Sequence, residues 1–182
     1  MVRLRLQRSP WLLSAAVSLV YATSLQQLSL EQMTSLSTEI VRGKVSSSYA
    51  TQSGDLIYTH YQIQVTERWK GAAGSTVDVA VPGGTLSGMR QSFAGVPTPI
   101  KGSEYVFFLW RSPKGITQLI GLQQGLFDVS ADASGVRYAG RNEIRELMLG
   151  PGGKAVTDRP VRMRLAEMRS RVQTVLGGGE TR

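Results

Sequence analysis

Apolar and polar positions alternate most regularly between residues 56 and 71, in the run LIYTHYQIQVTERWKG. Five apolar or aromatic residues share one parity and five polar or half-polar residues share the other: Ile57, Tyr61, Ile63, Val65 and Trp69 against Tyr58, His60, Gln62, Gln64 and Thr66. This alternation predicts a long strand with one buried and one wet face. The run STVDVAVPGG returns after a short Gly-containing turn, so the two segments are expected to pair antiparallel.

Shorter apolar runs predict further strands on both sides of this pair. EIVRGKVSS before it is a candidate strand, and SYATQSGD between the two is expected to be a turn. EYVFFLWRS is apolar on both faces, which indicates a central strand. ITQLIGL, GLFDVS and GVRYAG are short segments with Gly between them, which is typical of an all-β sandwich or barrel. The following run, NEIRELMLGPGGKAV, is expected to hold a helical turn and then a loop.

Two helices are predicted to flank the β region. Leu30–Leu36 is a short helix for which Ser29 is the candidate cap. Near the C-terminus, apolar residues recur at steps of four, three, four and three, at Val161, Leu165, Met168, Val172 and Val175. This spacing predicts one apolar stripe on an amphipathic helix. Thr157 or Asp158 is its expected cap, and Gly177 its expected end.

The first 22 residues have the pattern of a secretory signal peptide. Three arginines precede the uncharged run WLLSAAVSLV, and small residues follow at a cleavage site near Ala22 to Ser24. The run is too short to span a bilayer as a helix, and an anchor that is never cut is the alternative. We therefore predict a secreted or periplasmic protein without membrane contact after cleavage, and a β domain at residues 23–150. Residues 151–182 are expected to form a loop, the C-terminal helix and a flexible tail.

Charge and composition exclude several kinds of site. The net charge is +8, yet residues 23–153 hold eleven Lys and Arg against ten Asp and Glu, so the body is nearly neutral and no nucleic-acid partner is predicted. There is no Cys and one His, which argues against disulfides, metal sites and Ser–His or Cys–His catalysis. His60 is expected to face solvent. We predict no catalytic residue, metal or cofactor, although one sequence cannot exclude a pair of catalytic carboxylates.

The run VPGGTLSGMRQSFAGVPTPIKGSEYVFFL joins the second strand of the predicted pair to the central strand. Loops of this length within a compact domain are usually functional or disordered. Its glycines and prolines, and apolar side chains able to pack on the barrel at Met89, Phe93, Val96 and Ile100, predict an ordered crossover with a short strand near residues 90–93. The candidate interaction loop consists of Met89, Arg90, Phe93, Val96 and Pro97.

Several of these segments together resemble a group of uncharacterised secreted bacterial proteins. The shared motifs are the LSLEQM helix, the IVRGKV strand, YTHYQIQVTERWKG, a strand ending in VPGG, and GVPTPIKGSEYVFFL, which span residues 28–129. The order of strands and turns also resembles the OB-type barrels of netrin-like and metalloproteinase-inhibitor domains. This resemblance implies an OB-like Greek-key barrel of five to seven strands. It implies no inhibitory residue, because those inhibitors act through an N-terminal Cys that this chain lacks.

The predicted fold class is therefore all-β with flanking helices. The first functional hypothesis is a non-enzymatic binding module of the bacterial cell envelope, whose partner is an envelope or extracellular protein. The alternative, which rests on the barrel resemblance alone, is an inhibitor of a secreted protease. A third hypothesis is an enzyme with a carboxylate-based site.

Overall fold

The computed structural model describes residues 25–178, so the predicted signal peptide and the last four residues lie outside the described range. Within it the chain forms mostly β-strands with two α-helices and a short 3-10 turn. The elements are β1 Leu25–Gln26, α1 Leu30–Leu36, β2 Glu39–Ser53, β3 Leu56–Lys70, β4 Thr76–Pro82, β5 Gly84–Leu86, β6 Met89–Gln91, β7 Glu104–Arg111, β8 Thr117–Leu119, the 3-10 turn Leu122–Gly125, β9 Leu126–Ala131, β10 Arg137–Arg141, β11 Met148–Leu149, β12 Ala155–Val156, β13 Val161–Arg164 and α2 Leu165–Gly177.

The main sheet has the order β13-β10-β9-β7-β2-β3-β4, with β8 paired to the end of β7. Its neighbouring strands run antiparallel. The expected closed barrel is wrong, because β4 and β13 end the sheet and do not pair with each other. Three register shifts between β2 and β3 bend the sheet, and β4 comes to lie beside β8 without joining it.

The long hairpin of β2 and β3 is the central feature of the main sheet. β3 has the predicted bounds, but β2 continues six residues past the expected strand and runs through SYATQS to Ser53. The predicted turn shrinks to Gly54 and Asp55, with Gly54 at φ +59°. The polar run becomes a strand because β3 offers hydrogen-bonding partners along its whole length, from Lys70 to Leu56.

Each face of the sheet has its own core. One face lies under the helices; its core contains Leu30, Met33, Ile40, Trp69, Val106, Phe108, Ile120, Phe127, Ala139, Leu165, Met168 and Val172. The other face curls inward; its core contains Val41, Val45, Tyr61, Ile63, Val77, Val79, Val81, Tyr105, Phe107, Leu109, Leu119 and Leu126. β7 supplies residues to both cores, which confirms its prediction as a central strand.

Helix α1 is confirmed with its predicted bounds and cap. Ser29 Oγ accepts from the backbone N–H of Gln32, and the Gln32 side chain accepts from the backbone N–H of Ser29, which completes a capping box. At the other end, Lys70 Nζ donates to the carbonyls of Thr34 at 2.9 Å and Ser35 at 3.2 Å. Burial lowers the pKa of Lys70. The lysine thus satisfies the last carbonyls of the helix from the end of β3.

The C-terminal segment differs from its prediction at its start. Residues 161–164 form β13 on the edge of the main sheet, and α2 begins only at Leu165. Asp158 does not cap the helix; it is buried and paired with Arg141. VRMR satisfies the strand period as well as the helical one, and the free edge of β10 selects the strand. The predicted end at Gly177 is confirmed.

The helical turn expected at residues 142–156 is also wrong. Met148–Leu149 and Ala155–Val156 form a small antiparallel ladder, and β1 joins it in parallel through the pairs Leu25–Met148 and Gln26–Leu149. Gly152 and Gly153 adopt positive φ in the intervening turn. The apolar residues therefore follow a strand pattern, with Met148 fully buried.

Candidate functional site

The crossover, residues 83–103, connects β4 to β7 and contains the small hairpin of β5 and β6. Its two-residue turn is Ser87–Gly88, and both residues have positive φ, at 49° and 80°. Such turns match the right-handed twist of paired strands, which explains why this short hairpin is regular. The predicted short strand near residues 90–93 is thus present as β6, one residue earlier in the chain.

Hydrogen bonds hold the crossover against the β2–β3 hairpin. The Gln91 amide accepts from the backbone N–H of Ile57 at 2.8 Å and donates to the Asp55 carbonyl at 2.7 Å. Gly83 N–H donates to the Ile57 carbonyl at 2.7 Å, and Thr59 Oγ1 donates to the Gly83 carbonyl at 2.8 Å. Backbone groups and the side chains of Gln91 and Thr59 therefore fix this segment.

Close approach of the backbone adds to this attachment. Gly84 has φ +140°, and a Cβ at this position would overlap Thr59 Oγ1, so a side chain cannot be accommodated without movement. Farther along, Pro97 and Pro99 are buried. The Ile100 N–H donates to the Tyr105 hydroxyl at 3.0 Å, which fixes the return into β7. The crossover is therefore ordered, as predicted.

The large apolar side chains of the crossover mostly face water, contrary to the expected packing. Met89 is 53% exposed, Phe93 44% and Ile100 65%. Arg90 is exposed beside them, whereas Val96 packs against the inward-curling core. Of the candidate interaction loop, Met89, Arg90 and Phe93 thus lie on the surface, and Val96 and Pro97 lie beneath it.

A cleft of about 240 Å³ lies between the crossover and the main sheet. Tyr61 and Val81 contribute to its lining from the sheet, and Arg90, Phe93 and Val96 contribute from the crossover. The cleft therefore combines apolar surface with one cation. Its size suits a single side chain of a partner better than a whole small-molecule ligand, which usually occupies about 300–1,000 Å³.

A second polar arrangement, the His60 cluster, lies on the wet face of β2, β3 and β4. It consists of Tyr49, Thr51, His60, Gln62 and Asp78. His60 Nδ1 lies 2.7 Å from Asp78 Oδ1, and His60 Nε2 lies 2.9 Å from Thr51 Oγ1. The Asp78 carboxylate also accepts from the Tyr49 hydroxyl at 2.6 Å and from the Gln62 amide. His60 is not the isolated surface residue that its place in the sequence predicts.

Carboxylate, imidazole and hydroxyl in this order have the connectivity of a nucleophilic triad. The rest of such a site is not present in the described chain, because Thr51 lies within β2 and its neighbours pair with β3. An extended strand directs successive N–H groups to opposite edges, so those next to Thr51 do not converge on one point to stabilise an oxyanion. The hydrogen bond to Asp78 raises the pKa of Tyr49, and the Tyr49 and His60 rings stack with centroids 4.8 Å apart. The cluster satisfies its own polar groups and joins three strands.

The sequence predicts this cluster only when the register of the β2–β3 hairpin is known. If the turn is confined to Gly54 and Asp55, then Tyr49 and Thr51 fall beside His60 across the β2–β3 ladder. Interpreting SYATQSGD as a turn removes that partner strand. The missed contacts of His60 therefore follow directly from the missed end of β2.

A pair of carboxylates on the helix-covered face does not resemble a hydrolytic site. Glu67 and Glu104 both bind the largely buried Arg42, which lies between them. Arg169 lies 3.5 Å from Glu67, and Arg137 lies 3.6 Å from Glu104. A guanidinium between two carboxylates occupies the space that a scissile bond and its water would need. This network instead links α2 and β10 to the centre of the sheet.

Two further findings concern only residues 25–178. No group of three or more His, Cys, Asp or Glu side chains has the arrangement of a metal site. No helix in this range is long and apolar enough to cross a membrane.

Comparison with protein-family models, with curated proteins and with solved structures finds no match to the chain.

Proposed function

We propose that this protein is an exported, non-enzymatic binding module of the bacterial cell envelope that contacts a partner protein through its crossover. One observation carries the proposal: the crossover is fixed by hydrogen bonds and buried prolines, yet its large apolar side chains face water. A flexible loop would lose conformational entropy on binding, whereas an ordered one has lost it on folding.

The residue types on this surface also favour a protein partner. Met89 and Phe93 present adaptable and aromatic apolar area, and Arg90 adds a guanidinium between them in the chain. Aromatic residues, Met and Arg are enriched in protein interfaces, and the few dominant contacts cluster next to pockets. The cleft beside Phe93 is such a pocket, and its cationic lining favours a partner segment with an apolar residue next to an acidic one.

The proposal also includes export of the protein and a relationship of its fold to OB-type folds. The N-terminal pattern of three arginines and an apolar run supports export, and the lack of Cys is compatible with an oxidising compartment. The meander of β2, β3 and β4, followed by a crossover that returns β7 to the free side of β2, supports an OB-like relationship. Mass spectrometry of the exported protein tests the first point, since we expect an N-terminus between Thr23 and Leu25.

A matched pair of double variants tests the interaction surface. The first, Met89→Ser with Phe93→Ser, removes apolar area from the crossover; the second, Leu36→Ser with Leu147→Ser, removes it from sites that are 57% and 49% exposed elsewhere. We expect the purified exported protein to capture a specific envelope protein by crosslinking. The crossover pair should reduce capture at least tenfold, and the control pair should leave it unchanged.

Equal capture by both double variants would contradict the proposed surface. If the captured protein is a secreted protease, titration of its activity decides between simple binding and inhibition. Substrate turnover by the purified protein that disappears when a carboxylate is replaced by its amide, in a variant that remains folded, would instead favour the carboxylate-based enzyme.

A further inference from the structure

A second cleft, which we call the seam cleft, lies where β4, at the edge of the main sheet, faces β8 and the turn before it. It has a volume of about 500 Å³, within the usual range for small-molecule sites. The His60 cluster contributes Tyr49, His60 and Asp78 to the lining, and the end of β7 with its following turn contributes Arg111 and Lys114. None of these residues belongs to the crossover, so a ligand here is independent of the proposed partner surface.

Tyr49 presents a fixed aromatic surface to the seam cleft. One face of its ring stacks on His60, with the planes inclined by 13°, and its hydroxyl donates to Asp78 at 2.6 Å. Tyr49 is nevertheless 46% exposed, so the opposite face of its ring is open to water. An aromatic ring that is already held in place loses little further conformational freedom when a flat apolar surface packs on it. The C–H face of a sugar ring is such a surface.

Asp78 adds a hydrogen-bond acceptor beside this ring. An ionised carboxylate offers about four acceptor positions, and three are used by the Tyr49 hydroxyl, His60 Nδ1 and the Gln62 amide. The Asp78 side chain is 37% exposed, so the remaining position is open to a hydroxyl donor in the cleft. Thr76 is exposed on the same strand and adds a hydroxyl that both donates and accepts. A ligand with several hydroxyl groups fits these polar groups better than a hydrocarbon chain does.

The charges of the lining favour a ligand with an acidic group. Arg111 and Lys114 are exposed, and neither has a carboxylate within ion-pair distance among residues 25–178. Glu39 is neutralised by Arg68, so the remaining charges are these two cations and the Asp78 carboxylate. A guanidinium and an ammonium together bind a carboxylate through charge-assisted hydrogen bonds. The lining therefore favours an acidic group at the two cations and hydroxyl groups near Asp78.

We propose that the seam cleft binds an acidic oligosaccharide. One sugar ring stacks on Tyr49 and donates a hydroxyl to Asp78, and a carboxylate of the same oligosaccharide pairs with Arg111 and Lys114. Each part of the ligand has its own contact, so loss of either the sugar rings or the charge weakens binding. The Asp78 carboxylate repels a phosphate next to the ring, which disfavours a nucleic-acid strand as the ligand.

Calorimetric titration of the exported protein with trigalacturonate tests this proposal. The methyl ester of trigalacturonate keeps the sugar rings without the charges, and tricarballylate keeps three carboxylates without a sugar. We expect trigalacturonate to bind, and each matched compound to bind at least about tenfold more weakly, because each lacks one of the two recognised parts. No heat with trigalacturonate up to millimolar concentration, or equal binding of either matched compound, would overturn the proposal.

A matched pair of aromatic variants tests the stacking contact. Tyr49→Thr removes the ring from β2, and Phe93→Thr removes a ring of similar exposure, 44%, from the crossover. Tyr49→Thr should weaken trigalacturonate binding at least about tenfold, and Phe93→Thr should leave it unchanged. An unchanged affinity in Tyr49→Thr, or an equal loss in Phe93→Thr, would refute the stacking contact. Thermal unfolding of both variants checks that they are folded, since Tyr49→Thr also removes the hydrogen bond to Asp78.

Replacement of the two cations tests the charge contact without touching the His60 cluster. Arg111→Gln with Lys114→Gln should weaken trigalacturonate binding at least about tenfold, whereas Lys101→Gln with Arg145→Gln, at exposed positions outside the cleft, should leave it unchanged. His60 is the single histidine of the chain and lines the cleft, so trigalacturonate should shift its ring signals in NMR spectra of the untagged protein. Equal losses in the two double variants, or unshifted His60 signals at saturation, would assign the binding to diffuse surface charge and refute the site.

Discussion

The crossover and the terminal segment, residues 157–178, attach to the same sheet in opposite ways. The crossover is held by hydrogen bonds and close backbone contacts, and it leaves Met89, Phe93 and Ile100 in water. The terminal segment buries Leu165, Met168 and Val172 in the helix-covered core and leaves its arginines outside. Apolar side chains thus stabilise one segment, and in the other they remain available to a partner.

The difference shows why an apolar residue cannot be assigned to the core or to the surface from its residue type alone. In α2 the apolar stripe is the means of attachment, since α2 has no side-chain cap at Arg164 and depends on packing. In the crossover, attachment is already achieved by Gln91, Thr59 and the glycines. Its exposed apolar residues therefore require another explanation, and binding is the one we propose.

Breaking the buried ion pair of the terminal segment should have the largest effect. Asp158→Ala leaves the Arg141 guanidinium buried and uncompensated, and removal of one partner from such a pair typically destabilises by about 3–5 kcal/mol. Urea unfolding measures the loss. Asp55→Ala, at the turn beside the crossover, is the control and should change stability by less than about 0.5 kcal/mol. Similar small losses in both variants would show that the pair does not hold the terminal segment.

Replacing one methionine in each segment by alanine tests whether its apolar side chains stabilise the fold. Met168 in α2 is fully buried, and Met89 in the crossover is 53% exposed. Met168→Ala should destabilise the protein by about 2–5 kcal/mol, because it removes core volume and leaves a cavity. Met89→Ala should change stability by less than about 0.5 kcal/mol. Comparable losses would mean that Met89 packs on the sheet after all and that the crossover surface is structural.

Substitution of two glycines of the crossover distinguishes the cost of a steric overlap from the cost of backbone strain. Both have positive φ, but a Cβ at Gly84 would overlap Thr59 Oγ1, whereas a Cβ at Gly88 meets nothing within 4 Å. Gly88→Ala should cost about 1 kcal/mol from strain, and Gly84→Ala about 2–3 kcal/mol. Thermal unfolding distinguishes them. Equal losses would show that the contact with Thr59 relaxes easily and that the crossover is less tightly fixed.

The parts of the fold that were predictable follow from local rules. The helix cap at Ser29, the period of two in β3 and the two-sided apolar run of β7 each appear in the structure with their predicted roles. The failures arise where a partner strand decides. SYATQS and VRMR become strands because β3 and β10 offer them a hydrogen-bonding edge, and no property of the segments alone reveals that edge.

The closed barrel was predicted incorrectly for a related reason. Alternation within each strand is the same in an open curled sheet and in a barrel, and closure depends on whether the end strands pair. The crossover shows a similar limit. Its glycines and prolines predict order correctly, but whether Met89 and Phe93 pack or face water depends on the direction of a hairpin that Gln91 fixes through its contact with Ile57, 34 residues away in the chain.

The ion pair between the two helices should have the smallest effect and a defined pH dependence. Arg171 Nη2 donates to Glu31 Oε1 at 2.5 Å, and this hydrogen bond lowers the pKa of Glu31. The unfolded chain therefore binds the proton first as the pH falls. The stabilisation is complete above the unfolded-state pKa of Glu31 and is lost as the pH falls through its lower folded-state value.

Both side chains of this pair are partly exposed, so Glu31→Gln should destabilise by only a few tenths of a kcal/mol at neutral pH. The difference from the unmodified protein should disappear once the pH has fallen below the lowered folded-state pKa of Glu31, where the carboxylate is protonated in both states. Urea unfolding across this range measures it, with Glu143→Gln, an exposed glutamate without an ion pair in the described chain, as the control. A difference that persists at low pH would mean that Glu31 supports α1 through its packing rather than through its charge.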